Sequence, residues 1–165
     1  MNTTSTPQTN ATSLASKKNN GDDFDAAKLI ENWQQVNEQV AQASVQAQRQ
    51  KDEIILLAVS KTKPVEMIAT LARQGQHDFG ENYLQEAIEK IQALRQQPDY
   101  EHIVWHYIGS IQRNKTRDIA EHFDWVQTLE REIIAKRLHE QRPAELPALN
   151  VLIQVNIDNE DSKSG

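Results

Sequence analysis

One lysine in this sequence has both the chemical type and the position of a nucleophile. The apolar run Ile54–Val59 passes through Ser60 into Lys61, and Lys63 and Pro64 follow. An amine that apolar neighbours partly shield can lose its proton near neutral pH and attack a carbonyl carbon. Lys63 is a competing candidate, but Pro64 ties it to the start of the next helix. Spacing alone also leaves open that Lys61 is an ordinary solvated residue after a strand.

Three further polar residues lie in or beside predicted strands. Asn82 follows a short strand, where an asparagine is commonly a helix N-cap but can also bind a ligand. Glu81, just before it, has an alternative role as an ion-pair partner within the fold. His106 lies inside a strand, where a lone histidine is usually hydrogen-bonded and structural. No second histidine stands at ligand spacing, so the sequence predicts no metal site.

The spacing of apolar residues predicts the elements that must position these side chains. Recurrence every three or four residues indicates helices, and short β-rich runs indicate strands. The predicted helices cover 25–50, 65–75, 84–94, 114–123 and 130–141, and the predicted strands cover 54–60, 77–82, 103–108, 125–128 and 149–157. Because the apolar run of the first strand is continuous, that strand is predicted to be buried on both faces.

The alternation of strands and helices predicts an α/β fold built from parallel β/α units. Such units form either a doubly wound open sheet or a (β/α)8 barrel. No Gly-x-Gly-x-x-Gly follows the first strand, which weakens a dinucleotide-binding interpretation. Polar residues cluster after the strand ends, and in a barrel these ends converge at one mouth. The sequence therefore favours a barrel, which five strands would leave incomplete, with two apolar edges.

The bulk composition favours one globular domain. The 165 residues carry a net charge of −6, which argues against binding to nucleic acid or to an anionic membrane. The absence of cysteine excludes disulfides and thiolate sites, and no apolar run approaches the roughly 20 residues of a membrane span. We expect residues 1–22 to form a disordered tail, residues 23–165 to form the domain, and the protein to be cytoplasmic.

Several long motifs resemble consecutive signatures of one family. They are Leu-Leu-Ala-Val-Ser-Lys-Thr-Lys-Pro (56–64), Phe-Gly-Glu-Asn-Tyr-Leu-Gln-Glu (79–86), Trp-His-Tyr-Ile-Gly-Ser-Ile-Gln-Arg-Asn-Lys (105–115), Leu-Asn-Val-Leu-Ile-Gln-Val-Asn-Ile (149–157) and Ser-Lys-Ser-Gly (162–165). Together they are similar to the pyridoxal phosphate homeostasis proteins, also called the YggS/PROSC family. The resemblance covers roughly residues 25–165, in the family's order and spacing.

The resemblance implies an alanine-racemase-like TIM barrel that holds pyridoxal 5'-phosphate (PLP) as an aldimine on Lys61. It further implies cofactor contacts from Asn82 at the barrel mouth and from His106, facing the pyridine ring. Lys163 would be a second lysine near the mouth that accepts the aldehyde transiently. Family members are thought to buffer PLP and hand it over to PLP-dependent apoenzymes, without established turnover. We expect a monomer.

The sequence departs from the family's pattern at its C-terminus, and two alternative functions stand beside the one that the resemblance implies. Family members continue for about three more β/α units, and a barrel binds phosphate after strands 7 and 8. The sequence is therefore expected to be truncated at its C-terminus, with weakened PLP binding. One alternative is a Schiff-base barrel enzyme similar to a racemase or aldolase. The other is an inactive truncated fragment.

Overall fold

A computed structural model describes residues 24–165, in which five helices and five strands alternate after the first helix. The expected disordered tail, residues 1–22, lies outside the described residues. The helices are α1 (Ala26–Gln46), α2 (Val65–Ala72), α3 (Leu84–Arg95), α4 (Thr116–His122) and α5 (Glu132–Gln141). The strands are β1 (Ala58–Val59), β2 (Asp78–Glu81), β3 (Val104–Tyr107), β4 (Trp125–Leu129) and β5 (Asn150–Ile153).

The five strands form one parallel sheet whose spatial order is the order of the chain. Each strand pairs with the next one along the sequence, as in the register of Phe79 with Trp105 between β2 and β3. A doubly wound sheet reverses direction at a switch point, whereas a (β/α)8 barrel adds strands in sequence. The connectivity confirms the predicted α/β fold and its barrel-like arrangement. Within residues 24–165, no helix is long and apolar enough to cross a membrane.

The two faces of the sheet differ in character. Because side chains alternate along a strand, the register places Phe79, Trp105, Tyr107 and Val126 on one face. These four residues are buried with inward residues of the helices in a single core: Ile68 of α2, Ile91 of α3, Ile119 of α4 and Ile134 of α5. The opposite face carries Asp78, Gly80, His106, Trp125 and Gln127. The helix-facing side therefore forms the core, which also includes the buried Glu81, whereas Asp78, His106 and Gln127 lie on the other side.

The first strand is less buried than the sequence predicts. Ile55 is 64% exposed and Val59 is 52% exposed, so the prediction of burial on both faces is wrong. Among the described residues β1 is an edge strand, and only Ala58 and Val59 pair with β2. The preceding backbone is held by a side chain instead, because Gln76 Nε2 donates to the carbonyl of Leu56 at 2.7 Å. An apolar run alone does not distinguish an edge strand from a central one.

The last strand is shorter and more exposed than predicted. It ends at Ile153, and one further backbone bond, from Gln154 N to Leu129 O at 2.9 Å, continues the ladder. Ile153 is 75% exposed, and Val155 and Ile157 beyond it are exposed as well. The predicted range 149–157 is therefore wrong at its C-terminal end. Among the described residues β5 is the second edge of the sheet, so its outer side has no neighbouring strand.

Candidate functional site

Lys61 lies in the tight turn that joins β1 to α2. The ladder extends through Ser60, whose backbone N–H donates to Gly80 O at 2.9 Å. The turn closes when Lys63 N donates to Ser60 O at 3.1 Å. The sequence predicts Pro64 as the first helical residue of α2, but it is the N-cap, because its ψ of 153° is extended rather than helical. The side chain of Lys61 is exposed, directly after the carboxyl end of the strand.

The residue after Lys61 has an unusual backbone conformation. Thr62 adopts a φ of 62°, in the left-handed region. A β-branched residue seldom occupies that region, and the left-handed conformation costs roughly 1–2 kcal/mol. Two hydrogen bonds hold Thr62 there, from its Oγ1 to Lys61 O at 2.6 Å and from its backbone N–H to Glu86 Oε1 at 2.7 Å. The structure therefore maintains a strained residue beside the candidate nucleophile.

A buried ionic network lies directly behind this turn. Lys90 of α3 contacts Glu81 Oε1 at 2.8 Å and Glu86 Oε1 at 2.5 Å, and its Nζ donates to Ser60 O at 2.9 Å. Ser60 Oγ also donates to Glu81 Oε1 at 2.7 Å. Glu81 is fully buried and Lys90 is only 7% exposed. We call Lys90, Glu81 and Glu86 the Lys90 network. It confirms the alternative in which Glu81 is an ion-pair partner.

The Lys90 network is the part of the site that the sequence does not predict. Glu86 and Lys90 are four residues apart, and this spacing usually indicates a solvated ion pair on a helix surface. Lys90 instead lies beside Ala87, Ile91 and Leu94 on the buried side of α3. The signal that could have revealed it is its position next to the apolar stripe, three residues after Ala87. A buried pair of this kind is costly to break, because the remaining charge has no compensation.

Asn82 follows β2 at the same end of the sheet as Lys61. It is not a helix N-cap, because the N-cap of α3 is Tyr83. Its Oδ1 is buried and has no hydrogen-bond partner among the described residues. Asn82 lines an open cleft of about 560 Å³ whose wall also includes Tyr107, Gln112 and Lys115. The arrangement leaves one buried acceptor available to a donor from water or a ligand.

The backbone at Asn82 packs closely against the next strand connection. A Cβ added to Gly109 would lie 2.6 Å from Asn82 O and 3.0 Å from Tyr107 Oη. Contacts below 3.0 Å force a neighbour to move, and here that neighbour is main chain. Only glycine therefore fits where the β3–α4 connection passes Asn82. Burial also raises the pKa of the Tyr107 phenol above its ordinary value.

His106 is held by two polar neighbours on the polar face of the sheet. Its Nε2 lies 2.8 Å from Asp78 Oδ1, and its Nδ1 lies 3.0 Å from Gln127 Nε2. Its ring stacks on Trp125 with centroids 5.5 Å apart. If the carboxylate accepts from Nε2–H, then Nδ1 accepts from the Gln127 amide, which satisfies both ring nitrogens. This environment supports the structural interpretation of His106.

Lys163 lies in the exposed segment that follows β5. Its backbone N–H donates to Glu160 O at 3.0 Å, and its side chain is exposed. β1 and β5 are the two edges of the described sheet, with three strands between them. The structure thus brings Lys61 and Asn82 onto neighbouring strand ends and places Lys163 at the far edge. Among residues 24–165, no group of three or more His, Cys, Asp or Glu could hold a metal ion.

The sequence of the chain is similar to those of curated proteins that share one name. No protein-family model matches the chain. It is 51% identical over 137 residues to the pyridoxal phosphate homeostasis protein of Escherichia coli, covering 83% of this chain and 58% of that protein. The protein of the same name from Pasteurella multocida is 53% identical over 137 residues, with the same coverage. The chain therefore spans 58% of the length of these curated relatives.

Solved structures of one further relative match the fold. PipY of Synechococcus elongatus without PLP matches with a TM-score of 0.63 and 35% identity, covering 74% of this chain and 55% of that one. PipY with PLP bound matches with a TM-score of 0.50 and 38% identity, covering 62% and 47%. Sequence identity and fold similarity therefore point to the same group of proteins.

Proposed function

The chain belongs to the pyridoxal phosphate homeostasis protein family, and from that premise we propose that it binds PLP through Lys61 and takes part in intracellular PLP homeostasis. The observation that carries the proposal is the position of Lys61, at the carboxyl end of the first strand of a barrel-like parallel sheet. Barrel enzymes and binding proteins place their ligand sites at this end. PipY, which shares the fold, has been solved with PLP bound.

The side-chain environment of Lys61 suits capture of an aldehyde. Within residues 24–165, its Nζ has no hydrogen-bond or salt-bridge partner, whereas Lys90 nearby is buried and bound to two carboxylates. The amino group of Lys61 is therefore not bonded to another described residue, whereas that of Lys90 is. The neutral amine of Lys61 forms a bond from nitrogen to the aldehyde carbon. The carbonyl oxygen then leaves as water with both amine protons, and a carbon–nitrogen double bond remains.

The other predicted site residues take lesser parts in the proposal. Asn82 offers its unpartnered Oδ1 to a donor on the ligand or to a water beside it. His106 lies one strand further along, and because both its nitrogens are engaged it contributes its ring rather than a free donor. Lys163 remains a prediction as a second, transient aldehyde acceptor.

The wider role follows from the same premise. A protein that holds a reactive aldehyde reversibly can limit its free concentration and supply it to apoenzymes that need it. We propose that the chain acts as such a carrier, as a monomer in the cytoplasm, with PLP-dependent apoenzymes as its partners. Size-exclusion chromatography with light scattering tests the monomer, and transfer of bound PLP to an apoenzyme, followed by recovery of that enzyme's activity, tests the partnership.

A titration tests the covalent anchor. The full chain is mixed with PLP, and the visible absorption band of the lysine-bound pyridoxal group is recorded against PLP concentration. Lys61→Ala should remove the band, whereas Lys63→Ala should retain it, since Lys63 differs in position but not in chemistry. An unchanged band in Lys61→Ala would overturn the proposal. Turnover of an amino acid or aldol substrate that disappears in Lys61→Ala would favour a Schiff-base enzyme instead.

A further inference from the structure

We propose that the Lys90 network is a positioning device that fixes the orientation of Lys61. This inference rests on the proposed function, because it concerns how the turn orients the amino group of Lys61 for its reaction with PLP. Lys90, Glu81 and Glu86 bond to the residues on both sides of Lys61 but, among the described residues, form no hydrogen bond or ion pair with its side chain. They are therefore positioning residues.

The network holds the residue before Lys61 at two points. Lys90 Nζ donates to the carbonyl oxygen of Ser60 at 2.9 Å, and Ser60 Oγ donates to Glu81 Oε1 at 2.7 Å. Both contacts are buried, with Ser60 itself 5% exposed. Backbone and side chain of Ser60 are thus bonded to two members of one ionic network. Hydrogen bonds to charged groups are stronger than those between neutral groups, so this end of the turn is firmly fixed.

The network holds the residue after Lys61 as well. Glu86 Oε1 accepts from the backbone N–H of Thr62 at 2.7 Å, and the same oxygen contacts Lys90 Nζ at 2.5 Å. This bond stabilises Thr62 in its left-handed conformation, with φ at 62°. A non-glycine residue held in a sparsely populated region is typical of sites where geometry matters for function. One carboxylate oxygen therefore connects the strained residue to the buried lysine.

Fixing both neighbours gives Lys61 an advantage over Lys63, two residues away. In a loose turn the two amines would have similar access to an aldehyde. The network bonds both neighbours of Lys61, Ser60 and Thr62, whereas of the two neighbours of Lys63 it bonds only Thr62. Buried ion pairs add little to stability compared with apolar packing, so their presence here calls for a reason other than stability. Selection of Lys61 supplies one.

The test compares two glutamates on the same helix. Glu86→Ala removes the acceptor of Thr62 N–H. Glu89→Ala removes an exposed carboxylate one turn away, which lines a second open cleft together with Glu86, Lys63 and Thr62. The full chain of each variant is treated with PLP, reduced with borohydride and mapped for adducts. In Glu86→Ala the ratio of Lys61 to Lys63 adduct should fall roughly tenfold, as expected for a lost charge-assisted hydrogen bond. In Glu89→Ala the ratio should stay unchanged.

Two further measurements separate positioning from general loss of structure. The amide of Thr62 should exchange with solvent roughly tenfold faster in Glu86→Ala than in the parent chain, without PLP present. Glu86→Gln retains a carbonyl oxygen that can accept from Thr62 N–H, so it should restore most of the adduct ratio. Unfolded molecules would label both lysines and bring the ratio toward one, so circular dichroism under the labelling conditions must show Glu86→Ala to be as folded as the parent chain.

The outcomes distinguish this inference from the proposed function. If the parent chain forms no adduct at Lys61, the proposed function fails and the inference falls with it. If the parent forms that adduct but Glu86→Ala keeps both the adduct ratio and the slow exchange of Thr62, the inference alone is overturned. An equal fall of the ratio in Glu89→Ala would also overturn it, because general charge loss near the turn would then be the cause.

Discussion

Two lysines in this chain follow the carboxyl end of a strand, yet their surroundings differ sharply. Lys61 lies between Ser60 and Thr62, and both are bonded to buried or partly buried charges on β2 and α3. Lys163 lies in an exposed segment held by hydrogen bonds within itself and to Gln154, such as the one from Glu160 N to Asn156 Oδ1 at 3.2 Å. The first turn is therefore fixed by elements distant in sequence, and the second only by its close neighbours.

From this difference we predict that position at a strand end does not by itself make a lysine reactive. Both lysines are exposed and both follow strands of the same parallel sheet. What separates them is α3, which supplies Glu86 and Lys90 to the first turn. A defined orientation comes from such long-range contacts, because local hydrogen bonds between exposed residues open easily. We accordingly expect the Lys61 turn to respond strongly to mutation and the 154–165 segment to respond weakly.

The largest expected effect comes from removing the buried cation. Lys90→Met leaves Glu81 buried without its partner and should lower the free energy of unfolding by about 3–5 kcal/mol. Urea denaturation followed by circular dichroism measures the change. The control is Lys136→Met, whose exposed pair with Glu140 at 3.9 Å should contribute less than about 0.5 kcal/mol. Equal effects of the two substitutions would show that burial of Lys90 has no energetic consequence.

A smaller loss is expected where the main chains approach each other beside Asn82. Gly109→Ala places a Cβ 2.6 Å from Asn82 O and should destabilise the protein by about 1–3 kcal/mol through overpacking. Gly165→Ala would also place a Cβ against the main chain of Asn156 and Val155, but the exposed segment that contains all three residues is held only by local hydrogen bonds and can rearrange. We expect its thermal midpoint to match that of the parent. A midpoint for Gly109→Ala that also matched would contradict the close packing at this turn.

The turn around Lys61 and the 154–165 segment each contain one residue in the left-handed conformation, Thr62 and Asn159. Placing asparagine at position 62 and threonine at position 159 compares how firmly the two segments are held. Asparagine tolerates this conformation better than threonine. Thr62→Asn should therefore raise the free energy of unfolding by about 0.5–1 kcal/mol, because φ at position 62 is 62°. Asn159→Thr, at a φ of 55°, should change it by less than about 0.5 kcal/mol, since that segment is only locally held. A stability loss in Thr62→Asn would count against strain at Thr62.

The pH dependence of stability should also distinguish the packed end of the sheet from the exposed segment. Burial raises the folded-state pKa of Tyr107 above 10.0. The contribution of Tyr107 to the free energy of unfolding is therefore fully present below the pKa of the unfolded state and is lost as the pH rises through the pKa of the folded state. Tyr107→Phe should flatten the alkaline part of a plot of stability against pH. Residues 154–165 contain no tyrosine and should contribute no such change. An unaltered alkaline slope in Tyr107→Phe would contradict the assignment.

The local elements of this fold are largely predictable from the sequence. Apolar spacing predicts all five strands and five helices in order, and the polar residues after strand ends favour the barrel-like connectivity that the sheet shows. The sequence also predicts Lys61 as the PLP anchor, from its position after an apolar run and from the family resemblance, and that role stays a prediction. The prediction that the first strand is buried on both faces fails, because Ile55 and Val59 are exposed at the edge of the sheet. An apolar run does not show whether a strand has a neighbouring strand on each side.

The geometry around Lys61 is the part that sequence reasoning misses. Glu86 and Lys90 have the spacing of an ordinary surface ion pair, and only the packing of α3 against the sheet brings Lys90 to Ser60 and Glu86 to Thr62. The left-handed conformation of Thr62 has no signature in residue type, since threonine rarely adopts it. Such features depend on contacts between residues distant in sequence. They become visible only when the fold is known.

The most direct test of the account is the distribution of trapped PLP over all lysines of the full chain. After brief exposure to a stoichiometric amount of PLP, borohydride reduction and peptide mapping give the fraction of adduct at each site. We expect Lys61 to carry most of the adduct and Lys163 a minor share, and we expect Lys61→Ala to abolish the main product. Adduct spread evenly over exposed lysines, or greater at Lys163 than at Lys61, would contradict it.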